Sequence, residues 1–281
     1  MKKSFKVLFT VLVVLAVTLV AAGCGGQQAQ NNSGEGKSGG QQAAGQQHVL
    51  VASDTAYAPF EFQDKNTGKY IGFDMDLINA IGKVNNWNVE VRSMNFDGIV
   101  PALESSSVDM AISAMTITSE REKKVDFSLP YYQSGQSIVV QASNNTIKGW
   151  DDLKGKKIGV QIATTGADEA RKIPGAQITD YNTINEAFMA LKNGNVDAVV
   201  NDYPVNAYFI KQGNNDVKLV GDLRTSEVYG IAVPKGKKEI LDKVNSALLT
   251  LKKNGEFAKI YEKWFGQAPP DFLPGQPPAK K

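Results

Sequence analysis

Ala102-Leu103-Glu104-Ser105-Ser106-Ser107-Val108-Asp109-Met110-Ala111-Ile112 is echoed later in the chain by Ala190-Leu191-Lys192-Asn193-Gly194-Asn195-Val196-Asp197-Ala198-Val199-Val200, with Ala-Leu and Val-Asp at the same interval in both copies. Each copy reads as the end of a helix, a polar turn and a buried strand, so the chain is expected to hold two similar lobes rather than one continuous sheet. The segments just past the two strands are then equivalent: Ser113-Ala114-Met115-Thr116 in the first lobe, Asn201-Asp202-Tyr203-Pro204 in the second. Ligands of parallel α/β sheets bind beyond the carboxyl ends of the strands. Two further strand ends are polar, Ser53-Asp54-Thr55 and Ala163-Thr164-Thr165-Gly166, and the four together predict a cleft between the lobes.

Around the echo, short apolar runs alternate with helical periodicity, the pattern of βαβ units. Val49–Ala52 and Lys157–Gln161 are strand candidates. Asp74–Val84 reads as a helix with Leu77, Ile78, Ile81 and Val84 on its buried face. Thr183-Ile184-Asn185-Glu186 has capping-box spacing and opens a helix burying Ala187, Phe188, Ala190 and Leu191.

The N-terminus has a different character. Lys2, Lys3 and Lys6 precede an apolar run from Val7 to Val20 and the small residues Ala21, Ala22 and Gly23, so residues 1–23 read as an export signal. The run is short for a membrane span of about 20 residues. Cys24 comes immediately after and is the only cysteine, so no internal disulfide is possible. Val20-Ala21-Ala22-Gly23-Cys24 resembles a bacterial lipobox, which implies an acylated Cys24 at a mature N-terminus; Ala21 stands where that motif prefers Leu. Residues 24–47 carry no large apolar side chain and are expected to be a flexible tether. Gly36-Lys37-Ser38 within it is no phosphate loop, because position 31 is Asn and no strand precedes it.

Composition bounds the rest. With 281 residues, 42% hydrophobic and 21% charged, the chain can build one large core or two modest ones. The net charge is +2, and three of the lysines lie in the leader, which leaves a near-neutral remainder with no electrostatic case for nucleic acid.

Asp54-Thr55-Ala56-Tyr57-Ala58-Pro59-Phe60-Glu61-Phe62, Gly72-Phe73-Asp74-Met75-Asp76-Leu77, Thr116-Ile117-Thr118-Ser119-Glu120-Arg121, Val125-Asp126-Phe127-Ser128 and Lys263-Trp264-Phe265-Gly266 together resemble the polar amino acid binding proteins of ABC importers, bacterial extracellular solute-binding proteins of family 3. The resemblance covers Val49 to Gly266. It is strongest toward the glutamine-binding protein and the arginine, lysine and histidine binders. It implies an α/β, two-lobed periplasmic-binding-protein-like fold of type II that closes like a Venus flytrap. Lobe 1 would comprise residues 48–130 and 230–267, lobe 2 residues 136–225, with hinge crossings at 131–135 and 226–229 and a proline-rich extended tail over 268–281.

The resemblance also assigns roles. A free amino acid presents a carboxylate and an ammonium, and neither can be buried without a charged or multiply hydrogen-bonded partner. Arg121 is expected to meet the carboxylate bidentately, helped by backbone N–H groups of Thr116 and Thr165. Asp202, from the other lobe, pairs with the ammonium, with the Thr116 hydroxyl and the Ala114 carbonyl as further acceptors. Met115, Gln161 and Thr164 complete the expected lining. Asp54, Tyr57 and Phe96 match the side-chain pocket, where aromatic faces sandwich an aliphatic stem or a guanidinium and a carboxylate accepts from an amide or a cation. Tyr57 stands where the glutamine binder has Phe and Gln161 where it has Lys, while Ala163-Thr164-Thr165-Gly166 is more like the basic amino acid binders. Glutamine and a basic amino acid both stay open.

The expected partners are thus a free L-amino acid, the permease subunits of the importer and, through the lipid, the outer face of the cell membrane; the chain is expected to be monomeric and to need no cofactor. A ligand-sensing lipoprotein serving a membrane receptor uses the same lobes. An enzyme like cyclohexadienyl dehydratase shares the fold, but catalysis needs a positioned acid or base. The sole histidine, His48, sits at the tether boundary, and no G-x-S-x-G, H-E-x-x-H or Cys/His cluster is present.

Overall fold

The computed structural model describes residues 45–277; the leader, Cys24 and most of the tether lie outside the described residues. The first lobe begins with β1 (Gln47–Ser53), β2 (Ala56–Tyr57), β3 (Glu61–Gln63), β4 (Tyr70–Ile71), α1 (Phe73–Asn85) and β5 (Trp87–Ser93). It continues with α2 (Phe96–Glu104), β6 (Met110–Ala111), α3 (Ser119–Glu122) and β7 (Val125–Phe127). Strand β8 (Tyr132–Gln141) crosses to the second lobe, built from β9 (Lys157–Gln161), α4 (Thr165–Arg171), β10 (Gln177–Tyr181), α5 (Ile184–Lys192), β11 (Ala198–Asp202) and α6 (Tyr203–Lys211). The long β12 (Val217–Tyr229) returns, and β13 (Ala232–Pro234), α7 (Lys238–Lys253) and α8 (Glu256–Phe265) complete the first lobe.

Two five-stranded sheets share one plan, β5-β1-β6-β13-β7 in the first lobe and β10-β9-β11-β8-β12 in the second. In each, the first three strands are parallel and the fourth runs against the third. The echoed segments supply β6 and β11, which hold the same third place. The shared aspartate explains why the echo persists: Leu50 N–H donates to Asp109 Oδ2 at 2.8 Å, and Lys157 N–H donates to Asp197 Oδ2 at 2.8 Å. Each aspartate, one residue before its own strand, thus ties that strand's start to a backbone N–H of the neighbouring strand, satisfying a donor that a buried sheet cannot leave open.

Local rules account for the helices. Gly72 precedes α1 at φ 137°, and a Cβ there would lie 2.0 Å from the Phe60 carbonyl oxygen, so only glycine fits. Leu77, Ile78 and Ile81 are buried as expected, but Val84, in the last turn, is 42% exposed. The capping box at Thr183 and Glu186 is present, and Ala187, Phe188, Ala190 and Leu191 are buried. Among the described residues no helix is long and apolar enough to cross a membrane.

Both crossings between the lobes are strand, not loop. β8 and β12 pair antiparallel, with Tyr132 opposite Tyr229, Gln133 opposite Val228 and Ser134 opposite Glu227, and the register shifts on either side of Arg224. Tyr132 stacks on Tyr229 at 5.5 Å, and both rings pack on fully buried Phe60.

The proline-rich C-terminus differs from its expected form as a free tail after Gly266. Leu273 is 2% exposed within the main core, Gly275 N–H donates to the Pro130 carbonyl at 2.9 Å, and Lys252 Nζ holds the Asp271 and Phe272 carbonyls. The apolar pair Phe272-Leu273 has somewhere to go, and that burial outweighs the freedom of an extended chain. Leu273→Ala is expected to lower the unfolding free energy by about 2–4 kcal/mol in urea titration; an unchanged midpoint would show the segment to be a passenger.

Candidate functional site

Four strand ends converge, as their polarity predicted. Beyond β1, β6 and β9 and at the end of β11 lies a small cavity lined by Tyr57, Phe96, Ser113, Ala114, Thr116, Arg121, Gln161, Thr164, Thr165 and Asp202. Tyr57 through Arg121 come from the first lobe and Gln161 through Asp202 from the second.

Arg121 stands in α3, whose N-cap Thr118 accepts from the Arg121 N–H at 3.2 Å and fixes the turn. Its guanidinium lies 5.1 Å from the Phe96 ring centre, donates to the Thr116 carbonyl at 2.8 Å and reaches across to the Ala163 carbonyl at 3.0 Å. Burial pulls its pKa down, while the charges of Asp202 and Glu227 oppose that shift. Five N–H donors in a planar fork leave capacity for a carboxylate beyond these two carbonyls.

Asp202, on the facing lobe, shares the cavity with Arg121. Its Oδ2 accepts from Tyr57 Oη at 2.8 Å and Tyr229 Oη at 2.6 Å, and its Oδ1 from Gln136 Nε2. Burial, then the neighbouring charge of Glu227, raises its pKa to about 6, against the lowering effect of these donors. Tyr57 Oη also lies 2.8 Å from Asn201 Oδ1, and its single hydrogen, shared between these two acceptors, ties this first-lobe ring to the second lobe.

Asp54 is buried behind Gln161, whose Nε2 donates to Asp54 Oδ2 at 2.5 Å and to the Asn182 carbonyl at 3.1 Å. Burial raises the Asp54 pKa to about 6. Further back, Asp54 N–H donates to Ser113 Oγ, which donates to Glu61 Oε1, while Ala114 N–H and Tyr131 Oη donate to Asp74 Oδ2. Burial, then the neighbouring charge of Asp74, pushes the Glu61 carboxyl well above the usual carboxylate range. This network holds Ala114 at φ 42°, a strained conformation that aims the segment Ser113–Thr116 at the cavity.

Most of the expected residues therefore meet. Asp54 meets the cavity through Gln161. Met115 does not line it: its side chain is fully buried in the core with Ala52 and Phe96. The Thr164 hydroxyl is engaged by the chain itself, accepting from Ala167 N–H as the cap of α4 and donating to the Gln161 carbonyl. Gln136 and Glu227, not foreseen, stand on the crossing strands beside Asp202, Thr116 and Thr165. Glu227 lies in the segment read only as a hinge; nothing local distinguishes a site carboxylate there from a solvated one.

Two α/β lobes meeting at a small polar cavity, with a guanidinium from one side and a carboxylate from the other, define a solute-binding protein of the periplasmic-binding-protein type. The chain belongs to the bacterial extracellular solute-binding proteins, family 3, whose model matches residues 49–267. It is 33% identical over 220 residues to the L-cystine-binding protein TcyJ of Escherichia coli K12, covering 78% of this chain and 82% of that one. It is 30% identical over 260 residues to the arginine-binding extracellular protein ArtP of Bacillus subtilis 168, covering 90% and 96%. An ancestral arginine-binding protein bound to glutamine superposes with a TM-score of 0.76 at 48% identity, covering 78% of this chain and 98% of that one; its arginine-bound form scores the same at 47%.

Proposed function

We propose that this chain captures a basic amino acid, of which arginine is the type, between its lobes and hands it to an ABC importer. One imbalance carries the reading: among the described residues, the carboxylate Asp202 lines the cavity and Asp54 and Glu227 stand directly behind its lining, against one guanidinium, Arg121. Arg121 takes the ligand carboxylate and Asp202 the ammonium. That leaves Asp54, with the faces of Tyr57 and Phe96, for a second cation at the far end of the ligand. Glutamine fits the same pocket through its amide, with Asp54 as acceptor, but leaves that charge uncompensated. The ancestral arginine-binding protein bound to glutamine supports keeping it as the second candidate.

Contacts from both lobes to one ligand exist only when the lobes are together, so ligand biases the protein toward closure about the β8/β12 pair, and the permease reads the closed shape. The lipobox-like Cys24 holds the domain at the outer face of the membrane through a tether, as a monomer.

A thermal-shift panel of the twenty amino acids tests the assignment. Saturating arginine, lysine or histidine is expected to raise the melting temperature by about 5–10 °C, glutamine by less and leucine not at all. A dominant shift with leucine or glucose defeats the reading, and turnover of prephenate or arogenate would replace it with an enzyme.

A further inference from the structure

Resting on that reading, we infer that Glu227 is a positioning residue that turns two threonine hydroxyls into acceptors for the ligand ammonium. Its Oε2 accepts from Thr116 Oγ1 at 2.8 Å and from Thr165 Oγ1 at 2.8 Å, one threonine from each lobe. Its Oε1 accepts from Thr225 Oγ1 at 2.9 Å, and Gln136 Nε2 lies 3.2 Å from both oxygens. Glu227 is 8% exposed on β12, at the crossing.

A hydroxyl has one hydrogen and two lone pairs, and which side it shows a ligand depends on where the hydrogen is committed. A carboxylate offers no hydrogen, so Thr116 and Thr165 must each direct theirs at Glu227. Thr165 Oγ1 also accepts from Gln136 Nε2 at 3.2 Å; the lone pairs left on the two hydroxyls then face the cavity and, beside Asp202, offer acceptors to an ammonium. The same shared oxygen joins the two lobes, so this polarity is set as the site closes.

An amide of the same shape reverses the arrangement. In Glu227→Gln, an NH2 at the Oε2 position donates to both threonines and turns their hydrogens on the ammonium, and either orientation of the amide sets its NH2 against Gln136 Nε2, donor against donor. The test uses calorimetry with L-arginine and argininic acid, in which a hydroxyl replaces the ammonium. Glu227→Gln is expected to weaken L-arginine by roughly ten- to a hundredfold and argininic acid by less than about threefold, narrowing the preference between them. Thr225→Ala removes a bond to Glu227 without reversing any hydroxyl and leaves that preference unchanged. If Glu227→Gln does not fold, Thr116→Val, which deletes the acceptor itself, is expected to narrow the preference in the same way. Equal losses for both ligands, or no loss, would overturn the role of Glu227 alone. Failure of the unmodified protein to bind any amino acid would remove the ligand reading and this role with it.

Discussion

Arg121→Ala is expected to weaken amino acid binding by about a thousandfold, the cost of leaving a buried charge without its partner. The guanidinium is the positive group aimed into the cavity, and burial makes its loss severe: a ligand carboxylate would enter a site already holding Asp202 and Glu227 with nothing to offset it. The carbonyls of Thr116 and Ala163 would lose their donor too, and with it a bond between the lobes. Arg121→Lys is expected to recover little. An ammonium keeps the charge but cannot lie flat on Phe96 while giving paired N–H groups to a carboxylate and reaching both carbonyls. Calorimetry with arginine measures both variants, and the melting temperature without ligand reports whether the fold survives. Affinity within tenfold of the unmodified protein in Arg121→Ala would place the carboxylate elsewhere.

The parts of this molecule that were legible in the sequence are those fixed by local chemistry. The Val-Asp echo predicts two lobes because each aspartate satisfies a backbone N–H of the neighbouring strand, and the polar strand ends predict the cavity because parallel sheets place them together. Val84 shows where periodicity fails: it has the right spacing for the buried face of α1 but is exposed in the last turn, where its neighbour Asn85 meets the Lys243 carbonyl of α7 instead. Phe272-Leu273 shows the opposite failure, an apolar pair without any period, of which Leu273 is buried and Phe272 packs partly against the core where the chain folds back to Pro130. Gln136 and Glu227 are invisible for a third reason. Their importance comes from the antiparallel pairing of two crossings far apart in sequence, and only the register that sets Ser134 against Glu227 brings them beside Asp202.

The second large effect is a pH dependence in which affinity and stability move in opposite directions. Asp202 and Asp54 have pKa values raised to about 6, each chiefly by burial, and Asp74 shares that range. An ammonium or a guanidinium can pair only with the ionised forms, so binding arginine expels the protons present below pH 6. Affinity is expected to fall there by as much as about a hundredfold per pH unit, one decade for each of the two carboxyls facing the ligand. Without ligand the sign reverses. A carboxyl whose folded pKa lies above its unfolded value stabilises the fold at low pH and loses that contribution as pH rises through the folded value. Between about pH 4 and 6 the ligand-free protein therefore becomes less stable with rising pH, by up to about 3 kcal/mol for each such group. Asp126, held below its ordinary value by Lys235, works in the other sense but only at more acid pH. Asp202→Asn fixes the site in its protonated condition: at pH 7.5 it is expected to bind arginine as weakly as the unmodified protein does in acid, to lose one decade per unit from the slope, and to flatten the ligand-free stability curve. Melting curves with and without arginine from pH 4.5 to 7.5 measure all three. An affinity that stays constant across that range would show that no carboxyl changing its charge faces the ligand, and the pairing of Asp202 with the ammonium would have to be given up.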